Sequence, residues 1–540
     1  MERKRINIFI LFLILIVFLG AMGFLFAEKP LTNSIKDLTQ RTEETRFTKI
    51  HHHKQYMSTF RELPSLHIQQ HPPSENVKQL QETIDKALDH DNLEGAIIGI
   101  SVRDENDEII YQHQGNVRLI PASNMKIITA IAALEILGSD YQFTTDIQVD
   151  GEIKNGILEG DLYIVGKGDP TLQMDDFTML AKQVKEAGIT EITGSIYADD
   201  TWYDDERYSQ DLSWINEYDY YGNATSALTV ATKSHNDLLL GSIILEIIPG
   251  EEVGEKPKID ITPETDYVKI INKGDTVEAG KPLTLSDKGK HGSNEITIEG
   301  NIPLDSITYE RRRAVWEPTE YALHSFSQSL EKQDILFSNE RLSVKEVPKE
   351  AETIFTKKSA PLKEIIMPFM KQSNNGIGEV LVKEIGKVEA GEGSWREGLP
   401  VVRRVLADLG LDTTGINIRD GSGMSDRNLV SANFFTKLLY NIQDKAWFPD
   451  FKDSLPKSGE LDHALSGTLH GRFLDEDMKG KVLAKTGNLH KVSTLSGYVT
   501  TDDGTKLNFS ILINNYIKEP VFQIQDEIVT ILAETNLTEE

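Results

Sequence analysis

Regular patterns of apolar and polar positions begin near Val77 and predict a folded body. The run "VKQLQETIDKAL" has helical spacing, and "AIIGISVRDENDEIIYQHQ" predicts two strands joined by a turn at residues 104–107. In "PASNMKIITAIAALEIL", Pro121 suits the approach to a helix. The apolar positions that give this helix a buried face are Ile127, Ile128, Ile131, Leu134 and Leu137.

Later patterns predict further helices and strands. The run "APLKEIIMPFMKQSNNGIGEVLVKEIG" predicts two helices broken at residues 373–375. The run "KVLAKTGNLHKVSTLSGYVTTDDGTKLNFSILINN" predicts a strand followed by two more. Between residues 180 and 350, strand-like runs separated by Gly, Pro and Asp turns are "ITGSIYADDTWY", "GSIILEIIPG", "DYVKIINKG" and "NEITIEGNI".

The N-terminal residues predict a segment directed to a membrane. Arg3, Lys4 and Arg5 precede an almost unbroken apolar stretch from Ile8 to Ala27, which places the following chain on the outer side of the membrane. Small residues at positions 21–23 offer a cleavage site, whereas the length of the stretch slightly favours a retained anchor, so both alternatives stay open. Residues 28–75 are polar and predict a tether, in which three histidines at 51–53 are interpreted as solvated rather than as metal ligands.

Composition narrows the function classes of this 540-residue chain. The length fits roughly three or four structural units. No cysteine is present, which excludes disulfides, thiol catalysis and Cys-ligated zinc. The formal net charge of −28 argues against a nucleic acid partner, because a nucleic acid backbone requires a basic surface. We expect no metal and no cofactor.

Ser123 and Lys126 supply candidate chemistry within the apolar helix. They are three positions apart, so on a helix they lie on one face within touching distance. A lysine beside a serine in an apolar setting readily loses its proton. It can then act as a base toward the hydroxyl.

The spacing Ser-x-x-Lys is weak evidence alone, but two further motifs later in the chain strengthen it. Ser-x-x-Lys, then Ser-x-Asn at residues 373–375, then Lys-Thr-Gly at residues 485–487 is the ordered signature of the penicillin-binding serine acyltransferases. Other segments also match one of these motifs, and we call them decoys. One decoy, Lys457-Ser458-Gly459, follows Pro456, and a central strand does not easily accept a proline. Val482 to Ala484, in contrast, have the strand pattern expected before Lys485. The decoys are Ser329 with Lys332, Ser454 with Lys457, Ser234-His235-Asn236, Ser431-Ala432-Asn433 and Lys457-Ser458-Gly459.

Roughly residues 77–535 resemble the D-alanyl-D-alanine carboxypeptidase/endopeptidases of the penicillin-binding protein 4 type, peptidase family S13. Besides the three motifs, the resemblance includes "GDPTL" (168–172), "VWEPTEYAL" (315–323), "SAPLKEII" (359–366), "DGSGMS" (420–425) and "SGTLHGRF" (466–473). It implies an α+β fold, in which a transpeptidase/β-lactamase-like lobe, an antiparallel sheet flanked by helices, carries two inserted, mainly β domains. The 250 positions between Ser123 and Ser373 also favour insertions.

The expected domain ranges follow from this resemblance and from the patterns. They are a signal peptide or membrane anchor at 1–27, a polar tether at 28–75, the first part of the catalytic domain at 76–175, the inserted domains at 176–355 and the second catalytic part at 356–540.

The resemblance also implies roles in acyl transfer from a D-Ala-D-Ala stem. Ser123 attacks the carbonyl of the penultimate D-Ala, and Lys126, kept neutral part of the time by burial and by Lys485, takes the hydroxyl proton. Ser373 relays a proton to the leaving amine. Asn375 offers its amide to the substrate backbone.

The Lys-Thr-Gly strand is expected to bind the substrate. Lys485 and Thr486 supply a cation and a hydroxyl for the terminal carboxylate, and Gly487 belongs to the same substrate-binding strand. The backbone N–H groups of Ser123 and Asn488 would form the oxyanion hole.

The segment "DGSGMSDRN" is open to two interpretations, a tight surface turn or a signature loop near the cleft. In the second interpretation, Asp420, Ser422 and Gly423 are further candidates. Two departures from the family pattern occur: Asp426 stands where relatives more usually show Arg, and Asn488 replaces the commoner Thr after Lys-Thr-Gly.

These features together predict an extracytoplasmic serine-type D-alanyl-D-alanine carboxypeptidase, which trims peptidoglycan stem peptides through an acyl-enzyme and is inhibited by β-lactam antibiotics. Its further partner is the membrane, through the N-terminal segment. An endopeptidase activity on cross-links is left open. The alternatives are a β-lactamase or esterase on the same lobe, or a non-catalytic peptidoglycan-binding sensor, although the intact motifs argue against the sensor.

Overall fold

The computed structural model describes residues 74–538, except 235–236 and 339–340. The predicted membrane segment at 1–27 and all but the last two residues of the predicted tether lie outside the described residues. In the range that the structure does describe, no helix is both long enough and apolar enough to cross a membrane.

The three helical regions predicted after residue 76 are confirmed with small shifts in their ends. The first predicted helix is α1, and the side chain of Ser74 caps it by accepting from the Val77 N–H. The break predicted at 373–375 is the junction of α5 and α6. The α-helices of the described residues are α1 (Glu75–Ala87), α2 (Met125–Ile136), α3 (Met174–Glu186), α4 (Pro318–Lys332), α5 (Leu362–Lys371), α6 (Asn375–Ala390), α7 (Trp395–Asp408), α8 (Ala432–Asn441), α9 (Phe448–Ser454), α10 (His463–Ser466) and α11 (Phe522–Glu534).

The strands predicted from alternating patterns are also confirmed, including the turn at 104–107 between the first two. The strands of the described residues are β1 (Ile97–Arg103), β2 (Ile109–His113), β3 (Arg118–Leu119), β4 (Thr144–Lys154), β5 (Ile157–Lys167), β6 (Glu191–Ile192), β7 (Ile196–Asp199), β8 (Ala231–Ser234), β9 (Asp237–Leu240), β10 (Ser242–Ile248), β11 (Lys258–Thr262), β12 (Lys269–Val277), β13 (Ser286–Gly289), β14 (Glu295–Pro303), β15 (Tyr309–Ala314), β16 (Leu342–Val344), β17 (Glu352–Lys358), β18 (Val430–Ser431), β19 (Val482–Leu489), β20 (Val492–Thr500) and β21 (Lys506–Asn514).

A five-stranded antiparallel sheet joins the two ends of the described chain. Its order is β19-β20-β21-β1-β2, so the strand with the Lys-Thr-Gly motif lies at one edge. Helices α1 and α11 share one apolar core with this sheet. Helix α8 packs on β1 and β21. Helices α2, α5, α6, α7 and α9, together with one face of α8, form a second core, in which the first ten residues of α2 are buried.

Several sheets lie between α2 and α5. A six-stranded sheet has the order β16-β7-β5-β4-β17 with β6 beside β5, and two three-stranded sheets have the orders β11-β10-β15 and β12-β14-β13. The six-stranded sheet begins at Thr144, earlier than the expected boundary at 176, because the hairpin of β4 and β5 pairs with both β7 and β17. Strand β17 likewise runs across the expected boundary at 355. The domain ranges therefore stay a prediction.

Candidate active site

Ser123 lies in a short 3-10 turn, Ala122–Asn124, immediately before α2. Ala122 has φ of 47°, a left-handed conformation that is uncommon for a residue other than glycine and that recurs at active sites. Every residue from 125 to 134 is buried, so α2 is a core helix with no solvent face in its first ten positions. Lys126 is therefore held fully inside the protein, one turn from Ser123.

Three oxygen atoms lie within hydrogen-bond distance of the Lys126 amino group. Its Nζ lies 2.9 Å from Ser123 Oγ, 2.7 Å from Asn375 Oδ1 and 2.6 Å from the Ser422 carbonyl oxygen. A neutral amine has two hydrogens and one lone pair. If the two hydrogens go to Asn375 and Ser422, which can only accept at these atoms, the lone pair faces the Ser123 hydroxyl. The arrangement thus orients a base toward the hydroxyl proton.

Burial shifts the charge state of Lys126 in the direction that a base requires. Loss of hydration lowers the pKa of Lys126 to about 7. The carboxylates of Asp420, Glu379 and Asp237 act in the opposite direction, in that order of size. The lysine is consequently neutral in a large fraction of molecules at physiological pH.

Ser373 lies in the turn between α5 and α6, and Asn375 is the first residue of α6. Ser373 has φ of 60°, and its Oγ accepts from the Lys485 amino group at 2.9 Å. Asn374 caps α6 by accepting from the Ile377 N–H at 3.0 Å, which places Asn375 at the first position of the helix. The Asn375 side chain accepts from Lys126 and donates through Nδ2 to the Tyr221 carbonyl at 2.7 Å. The amide expected to bind substrate is thus engaged by the protein here.

Strand β19 brings the third motif against the Ser123 turn. A Cβ on Gly487 would lie 2.9 Å from the Ser123 nitrogen and 2.2 Å from Thr494 Oγ1, so only glycine permits this approach. The Ala484 N–H points out of the sheet's open edge, toward the Pro456 carbonyl. Because N–H directions alternate along a strand, the Asn488 N–H points to that same side, as an oxyanion hole requires.

Lys485 is fully buried, and its amino group also donates to the Thr486 carbonyl at 2.8 Å. Burial lowers the pKa of Lys485 well below its usual range, and the neighbouring Lys126 lowers it further. An anion placed beside Lys485 would offset both effects, which makes this position suited to a carboxylate.

The loop 420–425 is one hydrogen bond from Lys126 and is not a surface turn. Asp420 is fully buried and accepts from the N–H groups of Gly423 and Ser425 at 2.9 and 2.6 Å. Burial and the nearby Glu379 raise the pKa of Asp420 well above its usual range. The Ser422 carbonyl is the loop atom that reaches Lys126.

Glu379 is a site residue that the sequence reasoning missed. Its carboxylate accepts from the N–H groups of Gly421 and Ser422 at 3.0 and 2.9 Å and from the Trp395 indole at 2.7 Å. It thereby holds the two peptides that precede the one whose carbonyl faces Lys126, and Asp420 holds the N–H of that last peptide. Glu379 follows Asn375 by four positions, so the helical spacing from the Ser-x-Asn motif could have pointed to it.

An open cleft of about 570 Å³ lies over these groups. Part of its wall comes from the region between α2 and α5, notably Tyr221 and Asp237, for which the sequence carried no signal. The lining residues are Ser123, Asn216, Tyr220, Tyr221, Asn223, Asp237, Leu238, Leu239, Leu240, Gln372, Ser373, Asn374, Asn375, Met424, Asn488, Leu489 and His490. In the described ranges, no cluster of three or more His, Asp or Glu side chains is arranged to hold a metal ion.

The structure brings the predicted residues together, and the decoys that lie wholly within the described residues are outside the cleft. Ser329 is buried within α4, and Ser431 caps α8. The decoy Lys457-Ser458-Gly459 lies beside the edge of β19, where the Ser458 N–H donates to the Val482 carbonyl. His235 and Asn236 of a further decoy lie outside the described residues. Asp426, one of the two departures, is exposed on the loop.

Known proteins resemble this chain over most of its length. A family model described as the D-Ala-D-Ala carboxypeptidase 3 (S13) family matches residues 80–535. A D-alanyl-D-alanine carboxypeptidase of Actinomadura sp. is 39% identical over 461 residues, which are 84% of this chain and 85% of that protein.

Solved structures show a similar fold. The crystal structure of penicillin-binding protein 4 from Haemophilus influenzae superposes with a TM-score of 0.70 at 23% identity and covers 84% of this chain and 98% of its own. A structure of the same protein complexed with a β-lactam gives a TM-score of 0.68 at 23% identity, with coverage of 85% and 100%. The predicted α+β fold is confirmed.

Proposed function

The chain belongs to the D-Ala-D-Ala carboxypeptidase 3 (S13) family and is a serine-type D-alanyl-D-alanine carboxypeptidase, and from this premise we propose that Ser123 is its nucleophile and Lys126 its general base. The observation that carries this assignment is the set of three contacts around the Lys126 amino group. Asn375 Oδ1 and the Ser422 carbonyl accept the two amine hydrogens, which leaves the lone pair to accept the Ser123 hydroxyl proton. Burial keeps the lysine available as a neutral base.

In the acylation step, Ser123 Oγ attacks the carbonyl carbon of the penultimate D-Ala while its proton passes to Lys126. The N–H groups of Ser123 and Asn488 stabilise the oxyanion, each by about 3 kcal/mol. The proton reaches the leaving amine through the Ser373 hydroxyl, which Lys485 holds. The C–N bond breaks, D-Ala departs, and the acyl group stays on Ser123.

Water replaces the departed D-Ala in the second step. Lys126 takes a proton from the water as it attacks the ester carbonyl, and the same two N–H groups stabilise the second oxyanion. The Ser123 oxygen leaves with that proton, which restores the enzyme. Asn375 and the Ser422 carbonyl hold Lys126 in place through both steps.

Substrate binding rests on the strand with the Lys-Thr-Gly motif. Lys485 and Thr486 would bind the terminal carboxylate of a peptidoglycan stem. This anion would favour the protonated form of Lys485, which burial disfavours. The relative from Haemophilus has been crystallised with a β-lactam, which supports β-lactams as acylating ligands of this chain too.

We expect activity to rise with pH through about 7. Burial lowers the pKa of Lys126 to about 7. Below this pH Lys126 is protonated and has no lone pair to accept the Ser123 proton. The check is kcat/KM for a D-Ala-D-Ala peptide between pH 5.5 and 9. A value that stays constant down to pH 5.5 would contradict Lys126 as the base.

The N-terminal segment is proposed to hold the enzyme on the outer face of the cytoplasmic membrane. A chain that starts at residue 28 should stay in the soluble fraction and release D-Ala from a pentapeptide stem at the rate of the full-length protein. The expected reason is that the described residues already contain all groups of the proposed site. Loss of activity on a soluble peptide would show that the segment does more than target the enzyme.

A further inference from the structure

A segment between α9 and β19 pairs with the first part of the open edge of β19, at Val482 to Ala484, before the Lys-Thr-Gly motif. We call residues 455–469 the bridge segment. Its backbone pairs with β19 through the Ala484 N–H, which donates to Pro456 at 3.0 Å, and the Ser458 N–H, which donates to Val482 at 3.0 Å. The segment ends in "SGTL", which the sequence singled out and the proposed mechanism leaves without a role.

The bridge segment is also fixed to the last turn of α5. The buried Lys371 amino group donates to the Leu455 carbonyl at 2.7 Å and to the Leu465 carbonyl at 3.1 Å. Gly467 has φ of 50°, and a Cβ there would lie 2.3 Å from the Lys371 carbonyl oxygen. The two backbones are therefore in direct contact two residues before Ser373, and a side chain at 467 would separate them.

Thr468 is the point at which this clamped segment reaches the binding strand. Its Oγ1 lies 2.6 Å from Thr486 Oγ1, and Leu469 beside it is buried in the core of the sheet. The position of the Thr468 hydroxyl is thus set from both sides, by α5 and by the sheet. Thr486 belongs to β19, so the two hydroxyls meet between the clamped segment and the strand with which it pairs.

We propose that Thr468 is a positioning residue that orients the Thr486 hydroxyl and thereby strengthens the preference for substrates with a free terminal carboxylate. The inference rests on the proposed function, in which Thr486 donates to that carboxylate. A hydroxyl has one hydrogen and two lone pairs. In the free enzyme Thr486 donates to Thr468. When substrate binds, Thr486 turns its hydrogen to the carboxylate, and Thr468 turns its own hydrogen to the oxygen of Thr486.

This exchange keeps every polar group paired on the bound side. A chain of two hydroxyls also polarises the outer one, so Thr486 donates more strongly than it would alone. Without the Thr468 hydroxyl, the oxygen of Thr486 would face an apolar group while its hydrogen points to the substrate. The lost hydrogen bond would lower kcat/KM for substrates with a free carboxylate but not for substrates that lack this contact.

The test compares a peptide ending in D-Ala-D-Ala with its C-terminal amide, using Thr468→Val, which keeps the shape and removes the hydroxyl. Thr468→Val should lower kcat/KM for the free-acid peptide about three- to tenfold, as expected for one lost hydrogen bond, and mainly through KM. The amide should change less than about twofold, well below the cost of a net hydrogen bond. Thr468→Ser should restore the acid-to-amide ratio. This ratio does not depend on the fraction of enzyme that is folded.

Thr486→Val completes a double-mutant cycle. It should lower the acid-to-amide ratio itself, and adding Thr468→Val to it should lower the ratio no further. Equal losses on acid and amide in Thr468→Val, or an undiminished effect in the Thr486→Val background, would overturn the role of Thr468 alone. An unchanged ratio in Thr486→Val would overturn the carboxylate role of Thr486, and the inference with it.

Discussion

Ser123→Ala and Lys126→Ala should each almost abolish release of D-Ala from a stem peptide. Loss of a general base costs about 10²- to 10⁴-fold, and loss of the nucleophile removes the acyl-enzyme route itself. The double variant should be little worse than Ser123→Ala, since the base has no purpose without its nucleophile. The measurement is kcat for D-Ala release, together with the midpoint of thermal unfolding.

The chain offers a matched control for this prediction. Ser329 and Lys332 have the same spacing on α4, but Ser329 is buried and Lys332 is exposed away from the cleft. Lys332→Ala should leave kcat unchanged. If Ser123→Ala or Lys126→Ala were unfolded under native conditions, the loss of activity would instead indicate a structural role for the pair.

Lys485→Gln should weaken hydrolysis of a free-carboxylate substrate much more than hydrolysis of its amide. A charge-assisted hydrogen bond to the carboxylate is worth about 1.5 to 3 kcal/mol, roughly tenfold to a hundredfold in kcat/KM. The overall charge of −28 opposes an anionic stem, but repulsion beyond about 8 Å is largely screened at physiological salt. The buried lysine at contact distance should therefore dominate.

Part of the loss in Lys485→Gln should be common to both substrates, because Lys485 also holds Ser373 and lies near Lys126. Only the difference between the substrates reports the carboxylate contact. Lys457→Gln is the matched control, since this decoy lysine is half exposed and pairs with Glu460 at 3.2 Å. Equal losses on acid and amide would leave Lys485 as an electrostatic partner of the catalytic pair.

Local patterns were sufficient to predict most of the elements that carry the site. The alternation in β1, β2 and β19 to β21 reflects burial on a sheet, and the polar break before Asn375 marks a helix start that Asn374 caps. The three motifs could be predicted because each spans only three or four neighbouring residues. Their meeting in space depends on contacts that span about 250 positions, and only the order of the motifs indicated it.

The remaining features depend on tertiary contacts that no local pattern encodes. Glu379 acts through backbone N–H groups of a loop some forty positions away, so its carboxylate looks like any helical glutamate in the sequence. Tyr221 reaches Asn375 only because the region between α2 and α5 folds back over the cleft. The pairing of β4 with β17 likewise has no local signal, because it joins residues about 200 positions apart.

The most direct test of the account is the site at which a penicillin acylates the protein. A β-lactam mimics the D-Ala-D-Ala amide and traps the same acyl-enzyme, so a chain starting at residue 28 should gain the mass of one penicillin. Trypsin cuts after Arg118 and Lys126, which yields the peptide of residues 119–126 with Ser123 as its one serine. We predict that this peptide carries the adduct and that Ser123→Ala carries none. An adduct on a peptide that excludes residue 123 would contradict the account.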